Sequence, residues 1–154
     1  MTNKTDNELQ EIYRLRVLEH SREPHNCKEL QHPSHQAEGH NPLCGDKVTI
    51  YLKLANGLIQ DAAFEGTGCA ISIASASMMT DALPGHSADD SRRFIRAMQD
   101  MLDTGVMPDE PSLQEAKALQ GVRNYRSRIK CALLPWNTAE SALNNNTQIV
   151  STEG

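Results

Sequence analysis

Four cysteines and one aspartate are the residues of this 154-residue chain whose types and positions suit metal or sulfur chemistry. Cys44-Gly45-Asp46 lies in a stretch flanked by Pro and Gly, Cys69 stands at the start of an expected helix, and Cys131 falls just before another. A helix N-terminus carries partial positive charge and unpaired N–H groups, which favour thiolate over thiol. Three sulfurs and one carboxylate are enough for a tetrahedral zinc shell. No Cys-x-x-Cys knuckle is present, so spacing alone leaves a shared metal site and unrelated reduced thiols both open. Cys27 falls in a polar stretch and reads as a bystander. His25, His32, His35 and His40 crowd that same stretch, where solvated loop histidines are the commoner case. His40, four residues before Cys44, is the one close enough to reach a loosened zinc.

The elements that must position these groups follow from periodicity. Thr5 with Glu8 makes a candidate capping box for a first helix with Leu9, Ile12, Tyr13 and Val17 on one face. Leu15 and Leu18 fall off that stripe, which implies contacts on two sides. From Ser21 to Pro42 the apolar pattern disappears, and the segment reads as a long loop. Val48, Ile50, Leu52 and Leu54 then alternate with Thr49, Tyr51 and Lys53, a half-buried strand. Asn56-Gly57 signals a hairpin turn, Leu58 to Glu65 returns as its partner, and Gly66 and Gly68 lead to Cys69. A helix rich in Ala and Ser runs from Ala70 to Leu83, where Pro84-Gly85 stops it. Ser87 with Asp90 caps the next helix, whose apolar face is Phe94, Ile95, Met98, Met101 and Leu102. Ser112 with Glu115 opens a short helix that Gly121 breaks, and Pro135 suits the first turn of a last helix ending near Leu143. Trp136 is expected to pack at the base of that helix, and the methionines to fill the core. The order implies an α+β fold, a small antiparallel sheet with helices packed mainly on one face. Residues 1–143 read as one domain and residues 144–154 as a polar C-terminal tail.

Composition narrows the function classes. The formal net charge of −5 argues against a nucleic-acid binder that depends on phosphate neutralisation. No apolar run approaches the ~18 residues of a membrane span. Met1 to Asn7 has no apolar stretch of the kind a secretory signal needs, so a cytoplasmic protein with reduced cysteines is expected. Four cations, Arg123, Arg126, Arg128 and Lys130, precede Cys131. Arg123 and Arg126 suit either a solvated face or a docking surface for an acidic partner.

Three motifs carry a resemblance. Asn41-Pro42-Leu43-Cys44-Gly45-Asp46, Phe64-Glu65-Gly66-Thr67-Gly68-Cys69-Ala70-Ile71-Ser72 and Arg128-Ile129-Lys130-Cys131-Ala132-Leu133-Leu134 resemble, in order, the U-type iron–sulfur cluster assembly proteins, the SufU/IscU family. In the IscU-like scaffold branch a His precedes the third cysteine; here Lys130 stands there, and the longer connection through Leu119 to Arg123 also resembles the SufU branch. Arg126 stands where the family commonly has Pro, and Pro135 where it often has a small residue. The resemblance implies that Cys44, Asp46, Cys69 and Cys131 bind Zn²⁺ and that Cys44 is the acceptor thiolate of a sulfurtransferase-like sulfur carrier. Its implied partners are a SufS-like cysteine desulfurase, which supplies persulfide sulfur, and a SufBCD-like scaffold downstream. Arg128 and Lys130 are expected to offset the charge of three thiolates and a carboxylate, and Asp46, on a flexible loop, is expected to be the weakest ligand. The alternative function is a scaffold on which an iron–sulfur cluster is assembled on the same cysteines and then transferred.

Overall fold

The structure, a computed structural model, describes residues 4–145 and 150–151. Helix α1 (Lys4–Arg22) leads to strands β1 (His35–Asn41), β2 (Asp46–Ala55) and β3 (Leu58–Thr67). Helices α2 (Ala70–Ala82) and α3 (Ala88–Thr104) follow, then 3-10 segments at Pro111–Leu113 and Ala116–Asn124, helix α4 (Arg126–Leu143), and a short strand β4 (Val150–Ser151). The fold is the expected α+β arrangement. The sheet order is β3-β2-β1-β4, antiparallel except for β4, which runs parallel to β1. Val150 and Ser151, within the expected polar tail, thus pair with Gly39 and His40.

Alternation buries Val48, Ile50 and Leu52 of β2 and Ala62 and Phe64 of β3, and α4 and α2 cover them. At the hairpin turn Asn56 and Gly57 both take positive φ, as the dipeptide predicts. A hydroxyl then fixes α2 to α4: the buried Ser75 Oγ donates to the Ala132 carbonyl at 2.5 Å and accepts from Trp136 Nε1 at 2.9 Å. Small residues along α2 permit that close approach. Among the described residues, no helix is long and apolar enough to cross a membrane.

Four expectations about elements are corrected. The segment read as loop contains β1, which lacked an apolar signal because its inward residues are Ala37, Gly39 and Asn41. A Cβ on Gly39 would overlap the Thr138 hydroxyl and meet Leu134, so α4 rests directly on the bare backbone there. On α1 the inward stripe is Tyr13, Val17 and His20, while Leu9, Ile12 and Leu15 are exposed. The helix already begins at Lys4, and the Thr5 side chain of the expected capping box lies outside the described residues. Glu110, not Ser112, caps the first 3-10 segment, and the second runs through Gly121 to Asn124. Finally, α4 begins at Arg126, which places Cys131 and Pro135 inside the helix. Pro135 has no N–H to offer the Cys131 carbonyl four residues earlier, so the helical ladder is interrupted at that turn.

Candidate metal centre

The thiols are brought together by three separate elements. Asn41 and Asp46 are cross-strand partners that close the β1–β2 hairpin, and Cys44 sits on the four-residue turn between them. The Cys44 N–H donates to the Asn41 carbonyl at 3.3 Å, and Gly45 supplies the positive φ that the turn requires. Cys69 is the N-cap of α2, its sulfur accepting from Ser72 N at 3.5 Å. Cys131 is fully buried in the second turn of α4.

The ligating atoms of Cys44, Asp46 and Cys131 lie within 4.8 Å of one another. The Cys44 and Cys131 sulfurs are 3.2 Å apart, and Cys69 joins through Asp46, whose Oδ2 is 3.9 Å from its sulfur. Asp46 is fixed at both oxygens. Oδ1 accepts from Cys69 N–H at 2.7 Å, and Oδ2 accepts from Asn41 Nδ2 at 3.2 Å. The expectation of a flexible Asp46 is thereby corrected, since this residue opens β2 and is buried. Gly68 is what permits the Asp46–Cys69 contact: its φ is +156° and a Cβ there would overlap the Asp46 carboxylate.

Electrostatics separate the two expected auxiliary cations. Arg128 Nη1 is 3.7 Å from the Cys44 sulfur. Its guanidinium is held more firmly protonated by Cys131 first, then by Cys69 and Cys44. Lys130 instead is exposed and lines a groove with Asp100, Asp103, Arg123 and Arg126. Burial, followed by Cys44 and Asp46, pushes the Cys131 thiol well above the ordinary thiol range. A thiol so placed is released from its proton by a bound cation rather than by solvent. With two sulfurs and one oxygen gathered and the Cys69 sulfur 3.9 Å from that carboxylate, the donor set suits a four-coordinate, thiophilic ion.

The remaining candidates lie elsewhere. His40 neighbours Asn41 on β1, so strand alternation puts it on the other face, where it lines a groove with Glu38, Lys47 and Thr49. His35 Nδ1 bonds Ser34 Oγ at 2.8 Å, His32 lies in the 31–34 connection, and Cys27 is exposed beside β3. A second cluster, His20, His25 and Asp81, gathers ligating atoms within 4.8 Å, but its ligand atoms already have partners. His20 bonds Ser77 through Nδ1 (2.7 Å) and Glu115 through Nε2 (3.0 Å), and Asp81 takes His25 at 2.5 Å and Asn26 at 3.1 Å. This is a satisfied hydrogen-bond network joining α1, α2 and Glu115, the residue that precedes the second 3-10 segment. Sequence reasoning missed the contribution of Asn41, whose buried amide also lies 3.3 Å from the Cys131 sulfur. The only available signal was its place in the first motif, and its partnership with Asp46 depended on the unseen β1.

Known proteins share this sequence and fold. Residues 12–132 match the NifU-like N terminal domain family. The zinc-dependent sulfurtransferase SufU of Bacillus subtilis is 37% identical over 135 residues, 88% of this chain and 91% of that one. The iron-sulfur cluster assembly scaffold protein IscU of Streptococcus pyogenes is 36% identical over 135 residues, 88% of this chain and 84% of that one. The crystal structure of a nitrogen-fixing NifU-like protein (N-terminal) from Brucella abortus is similar with a TM-score of 0.81 and 31% identity, covering 90% of this chain and 96% of that one. On the matched motifs and the shared fold, the chain belongs to the NifU-like N-terminal domain family, and its relatives include a zinc-dependent sulfurtransferase and iron-sulfur cluster assembly scaffold proteins.

Proposed function

We propose that the chain is a zinc-bound sulfur carrier that accepts persulfide sulfur at Cys44 from a SufS-like cysteine desulfurase and passes it towards a SufBCD-like cluster scaffold. The observation that carries this reading is the asymmetry of the thiol pair. Cys44 and Cys131 are 3.2 Å apart, yet Cys131 is sealed in the core while Cys44 is half-exposed on a turn beside Arg128. Cys44, Asp46, Cys69 and Cys131 are the residues that would hold zinc. When bound, zinc keeps cysteine sulfurs as thiolates at neutral pH.

The transfer is redox-neutral. The Cys44 thiolate attacks the terminal sulfur of the partner's Cys–S–SH. One S–S bond forms at Cys44 as the partner's S–S bond breaks, and the partner's sulfur leaves as a thiolate. Arg128 supplies positive charge on the side from which an anionic persulfide arrives. The exposed Pro42 and Leu43 leave that approach open.

One finding favours this over cluster scaffolding: the gathered ligand atoms at the thiol site include no imidazole nitrogen among the described residues, and Lys130 precedes Cys131. Sulfur-35 transfer from a persulfidated desulfurase tests the reading. Cys44→Ala should accept sulfur at least tenfold more slowly, while Cys27→Ala should match wild type. Equal acceptance by Cys44→Ala refutes the assignment. Brown protein with stoichiometric iron and sulfide, purified without added metal, would establish the scaffold reading instead; colourless protein with one zinc per chain supports the carrier.

A further inference from the structure

The structure assigns Asn41 a positioning role: its amide clamps Asp46 and Cys131 together, which leaves Cys44 rather than Cys131 as the sulfur free to react. This inference rests on the reading of the site as a zinc-bound sulfur acceptor. Asn41 ends β1, is fully buried, and faces Asp46 across the hairpin. Its Nδ2 lies 3.2 Å from Asp46 Oδ2 and 3.3 Å from Cys131 Sγ. A carboxylate and a thiolate both accept, so the NH₂ end of the amide must face them, and its two hydrogens serve one each.

The consequences differ for the two neighbouring sulfurs. A hydrogen bond from a buried amide draws electron density from the Cys131 thiolate and holds its side chain in place. With the Cys69 N–H on Oδ1 and Asn41 on Oδ2, Asp46 has no freedom to rotate. Cys44 is out of the clamp. Its side-chain contacts are the Cys131 sulfur and Arg128 at the rim, and it rides on a short turn. Between these two sulfurs, loosening is therefore directed to Cys44, and that choice is set by an amide that touches neither the substrate nor Cys44.

Residue-resolved alkylation of the zinc-loaded protein by iodoacetamide, together with zinc competition against a chromophoric chelator, tests the role. In wild type, Cys44 should react at least tenfold faster than Cys131. Asn41→Ala should narrow that ratio to under about threefold and weaken zinc binding by about 10- to 100-fold, the usual range for an outer partner of a metal ligand. Asn41→Ser restores one of the two donors and should fall between. Its ratio and affinity decide the matter if the alanine variant lacks the wild-type far-UV spectrum. Folded variants with unchanged ratio and unchanged affinity overturn the inference. Neither measurement involves a desulfurase, so failed sulfur acceptance by wild type would sink the carrier reading while leaving these two readouts to judge Asn41 by themselves.

Discussion

Ser75→Ala removes one oxygen atom from the contact between the two helices that carry Cys69 and Cys131. The oxygen is fully buried, donates to the Ala132 carbonyl and accepts from Trp136 Nε1. After the substitution the Ala132 carbonyl keeps its place in the helical ladder of α4. The indole N–H, enclosed with no exposure, loses its hydrogen-bond acceptor. An unsatisfied buried donor costs about 1–3 kcal/mol, and the void left by a hydroxyl is too small to recover it with water. A loss of about 2 kcal/mol is expected, which for a domain of this size lowers Tm by about 4–8 °C. Urea denaturation followed by far-UV circular dichroism, with metal present and after chelation, reads the effect directly. Ser127→Ala, at an exposed position on α4, serves as control and should stay within about 0.5 kcal/mol. If Ser75→Ala proves as mild as that control, the tie between α2 and α4 does not hold the helices, and the account of why small residues line α2 fails with it.

Three further outcomes are expected. Gly39→Val places a branched side chain where a Cβ already overlaps Thr138, so it should destabilise the fold by about 1–3 kcal/mol; an unchanged thermal melt would contradict the close seating of α4 on β1. Burial first, then the Glu65 carboxylate, raises the Tyr51 phenol above its ordinary value. Because the folded state favours the protonated phenol, this contribution is fully present below about pH 10 and disappears as pH climbs through the raised value. Wild type should thus lose its advantage over Tyr51→Phe only in strong alkali, and parallel pH–stability curves would argue otherwise. Removing zinc with a chelator should lower stability by about 3 kcal/mol relative to protein held at a hundredfold excess over its Kd, and identical melts with and without chelator would exclude an ion bridging the three elements.

How much could be read beforehand depended on where each signal resides. The β2–β3 hairpin announced itself because Asn56-Gly57 fixes the turn and the alternation marks the buried face, and Ser87 capped α3 as expected, its Oγ accepting from Asp90 N–H at 3.1 Å. Motif order pointed to Cys44, Asp46, Cys69 and Cys131 as a set; the fold gathers the ligating atoms of Cys44, Asp46 and Cys131 and sets the Cys69 sulfur 3.9 Å from Asp46 Oδ2. Strand β1 stayed hidden because a helix seated directly on a strand selects small residues, which removes the apolar alternation that sequence reading requires. The same gap concealed Asn41, which acquires meaning only opposite Asp46. Pro135 misled for another reason. Its usual place is a first turn, and here packing holds a helix through it, a tertiary effect that no local preference reports. Charge near Cys131 was legible as composition but not as direction, since Arg128 turns to the thiols and Lys130 turns away.

Trp136 is the chain's single tryptophan. Its indole is enclosed at the seam of α2 and α4, five positions along the helix from Cys131, about 7.5 Å of axial rise. All tryptophan emission from this chain therefore originates at one spot, the seam between the helix that Cys69 caps and the helix that holds Cys131. Any event that shifts α4 against α2, the proposed ion loading and sulfur delivery included, is thereby open to fluorescence in real time without an attached dye.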